Sequence, residues 1–250
     1  AFGRAPANAP AWLQWMPRYS ASDVQSLDLA FRQRVESVQS VDRMIEELER
    51  ELIKTGELRN TYFVFSSDNG LHLGEHRMLA GKTTAFDTDI KVPVIVAGPG
   101  VPAGSTVSAM ASSIDLAPTF LQIAGARPTD RPDGVSLLSL LHGARRPPNW
   151  QSAILVEHHG PAFTPSDPDQ QPSRSGNPPS YEAVRTADFL YVEYATGDRE
   201  YYDLRHDPQE MNNIESKLTA ARLMSLHQML TALEACHGAS ACQAAAAASA

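Results

Sequence analysis

Cysteine is nearly absent from the 250-residue sequence: Cys236 and Cys242, both close to its end, are the only two. Neither sits at the spacing of a Cys/His metal centre, which argues against zinc there. The pair reads either as a small disulfide loop, implying an oxidising compartment, or as two free thiols. Long apolar runs are missing as well. None approaches the roughly 20 residues a membrane helix needs, so no membrane partner is expected. Positive charge is scarce, with 21 Lys and Arg against 29 Asp and Glu and a net charge of −8. The bases are scattered instead of gathered on one face, so no nucleic-acid partner is expected either. The opening AFGRAPANAPAWLQW has neither an initiating methionine nor a basic start followed by an apolar core. That start has two readings: a signal removed together with further sequence, or a fragment of a longer chain.

What is present suits one substantial α/β domain with an appendage, since 42% of residues are hydrophobic and 20% charged. Between Asp23 and Thr55, apolar residues at Val24, Leu27, Phe31, Val38, Val41, Ile45, Leu48 and Leu52 predict an amphipathic helix. Ser20 or Ser22 can cap it, and Gly56 ends it. TYFVF at 61–65 reads as a strand buried on both faces of a parallel sheet, and VPVIVA at 92–97 as a second strand. IDLAPTFLQIAGA then predicts a short helix capped by Asp115 and stopped at Gly125. This rhythm is that of a doubly wound α/β sheet, whose active sites lie beyond the strands' carboxyl ends. RRPPNW near Arg145 marks a boundary between residues 1–145 and 146–250. Residues 160–180 are rich in proline and polar groups and read as a mobile loop. SAILVEH, YEAVRT, FLYVEYATG and REYYDLR predict a small antiparallel sheet, with a helix over roughly 214–235 and a frayed tail QAAAAASA.

Chemistry is expected in the loop after the first strand. Asp68 and Asn69 offer oxygen donors suited to calcium or magnesium, ahead of Gly70, which can take a positive φ. Asp-Asn-Gly is also an ordinary turn, and two ligands do not complete a site. His72 and His76, four apart, could share one side of a helical turn beside Glu75, or serve only as hydrogen-bonding histidines. Lys82, after Gly81, could hold an anionic group as a point charge.

In order, a strand, SDNG, LGEH, GK and FDTDIKVPVIVAGPG resemble the sulfatases, within the alkaline-phosphatase-like superfamily. The likeness is to the branch of N-acetylglucosamine-6-sulfatases and related arylsulfatases. It extends through SSIDLAPTFLQIAGA and DGVSLLSLLHG to YEAVRTADFLYVEY and EYYDLRHDPQEMNN. The resemblance implies the C-terminal part of a doubly wound alkaline-phosphatase-like sheet over 1–145, and a small antiparallel-sheet-and-helix subdomain over 146–250. It implies a sulfuric ester hydrolase acting on sulfated sugars or aryl sulfates. Asp68 and Asn69 match ligands of a divalent metal, usually calcium, with magnesium as an alternative. Lys82 matches the lysine that contacts sulfate and steadies the departing ester. His72 is assigned to catalysis and His76 to substrate contact. The family is exported to periplasm, lysosome or medium, and CHGASAC resembles its terminal disulfide loop. Its formylglycine arises from Cys or Ser-x-Pro/Ala-x-Arg, and no such motif occurs in these 250 residues. A missing N-terminal half is therefore an expected partner. A related phosphoester or phosphonate hydrolase, and a non-catalytic cation- or sulfate-binding module, are the competing readings.

Overall fold

The structure, a computed structural model, describes residues 1–127, 130–160 and 170–247. Helix α1 spans Ala21–Thr55. Ser20 and Asp23 form a reciprocal capping box at its start, and Gly56 closes it at φ 79°. The predicted apolar stripe is present, yet Leu27 is the only buried residue of the helix. Phe31 and Val38, each 58% exposed, lie farther along it. The foot of α1 is fastened by the Arg174 guanidinium, 3.1 Å from an Asp23 carboxylate oxygen. Just before α1, Tyr19 donates its hydroxyl to the Met78 carbonyl at 2.7 Å.

Strand β1, Phe63–Ser66, pairs antiparallel with β2, Val94–Ala97, in the register Phe63↔Ala97 to Ser66↔Val94. Between them lies the single-turn helix α2, Asp87–Ile90. The expectation of a strand buried on both faces of a parallel sheet fails here. Phe65 and the 62%-exposed Ile95 are opposite partners on one face, and Val94 is exposed on the other. A β-branched run reports a preference for extended backbone; the direction of pairing and the covering layers are tertiary facts that it does not carry.

Helix α3, Leu116–Ile123, forms where predicted. It is preceded by a turn in which Ser112 and Asp115 cap each other. A short helix α4, Leu138–Leu141, follows. Strands β3 (Ala153–His158), β4 (Tyr181–Thr186), β5 (Phe189–Tyr194) and β6 (Arg199–Asp203) make the expected antiparallel meander, in that order. Helix α5, Ala220–Glu234, begins at Thr219, whose hydroxyl caps it, later than the predicted start near 214. It buries Leu226, Met229, Leu230 and Leu233 against Val184, Phe189 and Tyr191 of the sheet. The tail is not frayed over its described part: Ala239–Ala247 forms α6, with Ala246 buried and its carbonyl accepting the Ser152 hydroxyl at 2.9 Å. Alanine's high helix propensity and the Cys236–Cys242 disulfide favour this end.

The other face of the sheet positions the site. Tyr181, Ala183, Leu190, Val192, Tyr194 and Tyr202 share one core with Leu13, Met78, Ala85 and Phe86. The loop that follows β1 thus rests on the β3–β6 sheet. Within that face Glu200 is fully enclosed and accepts the hydroxyls of Tyr194 at 2.7 Å and Tyr202 at 2.8 Å.

Candidate active site

Asp68 and Asn69 leave the end of β1, Asp68 exposed and Asn69 half-buried. Asp68 Oδ1 accepts the Asn69 amide at 2.9 Å, which holds the carboxylate against the adjacent backbone. Gly70 does not adopt the expected positive φ. Its amide donates to the Asp89 carbonyl at 2.7 Å, and a Cβ there would lie 2.1 Å from the Thr88 carbonyl oxygen. Glycine is required by close approach of α2.

Residues 72–81 then close a loop: the His72 and Gly81 backbones exchange hydrogen bonds of 3.0 and 3.1 Å. No helical turn carries His72 and His76, because His76 and Arg77 sit at φ 53° and 63°. Left-handed non-glycine residues cost roughly 1–3 kcal/mol each, and Thr83 at φ 81° makes a third beside Lys82. Lys82 is half-buried and its Nζ donates to Asn69 Oδ1 at 3.3 Å. Lys82 is therefore brought to Asn69, whose neighbour in sequence is Asp68.

The two histidines are placed differently. His72 is fully buried; its Nδ1 lies 2.9 Å from both carboxylate oxygens of Asp89 and its Nε2 lies 2.8 Å from the Ser175 carbonyl. His76 stacks on Phe86 at 4.0 Å, and its Nε2 donates to the Gln209 and Glu210 carbonyls, both at 3.1 Å. Burial holds the His76 imidazole below its ordinary pKa, so the ring is neutral near pH 7. Both rings are buried, and His76 Nδ1 is enclosed without a hydrogen-bond partner among the described residues.

Sequence reading missed the groups that hold the loop. Asp89 is buried and, besides facing His72, accepts the Thr84 amide at 2.9 Å and hydroxyl at 2.6 Å. Asp87 takes a bidentate Arg185 at 2.7 and 2.9 Å, and its amide donates to the Glu210 carboxylate. Burial, with the Asp87 charge second, pushes the Glu210 carboxyl well above its usual value. An acid inside FDTDIKVPVIVA, followed directly by Ile90 and ahead of a strand, was the available signal for Asp89. Of the expected mobile loop, residues 161–169 lie outside the described residues. Residues 171–176 form a strap fastened to the site: Leu79 donates to the Arg174 carbonyl at 2.8 Å, and the Lys82 amide to Gln171 Oε1 at 3.0 Å.

The Asp68 and Asn69 oxygens are donors of the kind a hard divalent cation takes. Among the described residues no group of three or more His, Cys, Asp or Glu gathers to hold a metal ion. The pair fits such a cation in kind and supplies part of the roughly six to eight oxygens calcium prefers.

The sulfatase family model matches residues 12–126, and the model for the C-terminal region of N-sulphoglucosamine sulphohydrolase matches residues 74–236. The chain belongs to the sulfatase family. Among sulfatase relatives, human N-acetylglucosamine-6-sulfatase is 36% identical, over 87% of this chain and 43% of its own length. A solved protein in complex with its substrate D-glucosamine-2-N,6-O-disulfate is 32% identical with a TM-score of 0.65, over 78% of this chain and 38% of that one. The phosphonate monoester hydrolase of Agrobacterium radiobacter is 27% identical with a TM-score of 0.65, over 78% and 39%. The chain thus has the fold of part of an alkaline-phosphatase-like sulfatase, and spans less than half the length of these relatives. The sulfatase family is generally metal-dependent. No helix among the described residues is long and apolar enough to cross a membrane.

Proposed function

We propose that this chain supplies one wall of a formylglycine-type sulfatase active site that acts on sulfated sugars or aryl sulfates. The observation that carries the reading is Lys82 Nζ held 3.3 Å from Asn69 Oδ1, at the end of β1 and next in sequence to Asp68. In this reading Asp68 and Asn69 hold a divalent cation, most simply calcium. Bound there, the cation supplies a Lewis acid for a sulfate oxygen. Lys82 neutralises charge on the sulfate and on the ester oxygen as it departs, an electrostatic contribution of the kind that dominates many active sites. Residues 1–145 serve as the C-terminal part of the catalytic domain and 146–250 as the subdomain that supports its loop. The nucleophile, absent from these 250 residues as a motif, comes from a complementary N-terminal segment. The uncovered apolar faces of α1 and the β1–β2 pair suit the docking of such a segment. The Cys236–Cys242 disulfide favours an exported setting. The phosphonate monoester hydrolase likeness keeps phosphonate esters as the second substrate class.

Calcium titration tests the ligand assignment. In a complex of this chain with the complementary segment of a sulfatase relative, Asp68→Ala is expected to weaken calcium binding at least about tenfold, or roughly 1.4 kcal/mol, by isothermal titration calorimetry. An unchanged affinity would remove Asp68 from the ligand set.

A further inference from the structure

The sulfate-binding loop is held in place by a buried joint that neither the resemblance nor the chemistry of Lys82 accounts for. His72 sits at its centre, with one ring nitrogen on the Asp89 carboxylate and the other on the Ser175 carbonyl. Asp89 reaches both flanks of the loop: its carbonyl takes the Gly70 amide, next to Asn69, and its carboxylate takes the Thr84 amide and hydroxyl, two residues beyond Lys82. Ser175 belongs to the 171–176 strap, which also receives the amides of Leu79 and Lys82. The joint is tightly closed. A Cβ on Gly81 would lie 2.4 Å from the Ser175 carbonyl oxygen and 2.8 Å from His72 Nε2.

We propose that His72 is the positioning residue of this site: clamped between Asp89 and the Ser175 carbonyl, it locks the 171–176 strap onto the loop and so keeps the Lys82 ammonium against Asn69. The proposal rests on the sulfate-wall reading of Lys82 and adds a residue that acts through it. The strained backbone at His76, Arg77 and Thr83 gives the loop a reason to need a lock, since left-handed residues persist only where surroundings over-determine them. A buried joint of this kind is costly to half-break, because each abandoned partner loses its hydrogen bond without regaining water.

Two isosteric variants of the full chain dissect the joint. His72→Asn places an amide nitrogen near the position of Nδ1 and keeps Asp89, but cannot reach Ser175. His72→Gln places one near Nε2 and keeps Ser175. Amide hydrogen exchange and an NMR titration with inorganic sulfate, in calcium buffer, are the readouts. In His72→Asn the Leu79 and Lys82 amides are expected to exchange about tenfold faster, while Gly70 and Thr84 keep wild-type rates; sulfate affinity at the Lys82 and Asn69 signals falls about tenfold. In His72→Gln the Leu79 and Lys82 amides return to near wild-type exchange and sulfate affinity is restored. A residue that merely filled space would slow or speed all four amides together. If His72→Asn folds and leaves Leu79 and Lys82 exchange unchanged, the positioning role is overturned whatever sulfate does. If the wild-type chain gives no sulfate-dependent shift, or one that survives Lys82→Ala, the sulfate-wall reading fails, and the exchange data still decide for or against the lock.

Discussion

Lys82→Ala is expected to lower kcat/KM for an aryl sulfate by about 10²- to 10³-fold in a complex of this chain with the complementary segment of a sulfatase relative. The melting temperature of the complex should stay within a few degrees of wild type, because Lys82 is half-buried and lies outside the hydrophobic cores. If the lysine stabilises charge that develops on the departing ester oxygen, most of the loss falls on kcat, since the interaction strengthens in the transition state. Lys82→Arg should recover little, because a planar guanidinium cannot replace a compact ammonium held against an amide oxygen. A variant with wild-type kcat/KM would remove Lys82 from the chemistry altogether.

Glu200→Gln is expected to abolish a pH dependence of stability worth about 3 kcal/mol. Burial raises the Glu200 carboxyl from 4.5 to about 7, even though the Tyr194 and Tyr202 hydroxyls partly favour the charged form. The folded chain therefore keeps this proton to higher pH than the unfolded chain does. Its contribution to stability is largest below about pH 4.5, declines between there and about pH 7, and is lost above. Glu210 and Glu234, both raised by burial, add to the same trend. Urea unfolding at pH 5 and pH 8 measures most of it: wild type should lose stability on going to pH 8, and Glu200→Gln should lose about 2.5 kcal/mol less. The glutamine can still bond both tyrosines, accepting from one and donating to the other. Equal losses in both proteins would mean that Glu200 is already ionised at pH 5 in the folded chain, with no raised pKa.

Much of this was legible in the residues because it is local. The capped α1, the β3–β6 meander and the Asp68-Asn69 oxygens follow from spacing, capping and donor chemistry. What was not legible depends on contacts far apart in sequence. Gly70 looked like a turn glycine, and its real constraint is the Thr88 carbonyl. His72 and His76 stood at helical spacing, yet positive φ angles at His76 and Arg77 break any helix, and each ring has one partner more than a hundred residues away, at Ser175 and Glu210. Composition made 171–176 look loose, because proline and serine say nothing about long-range acceptors such as the Arg174 and Ser175 carbonyls. The alanine tail was misread for a similar reason: low complexity hides a helix whose place is set by Ser152.

The most direct test of the central claim is an arylsulfatase assay of the 250-residue chain alone, with 4-nitrocatechol sulfate, calcium and a formylglycine-generating enzyme. A chain that carries the sulfate-binding wall without a nucleophile should give no turnover above background. Clear turnover that Lys82→Ala abolishes would show that the whole catalytic apparatus lies within these residues, and would contradict the account.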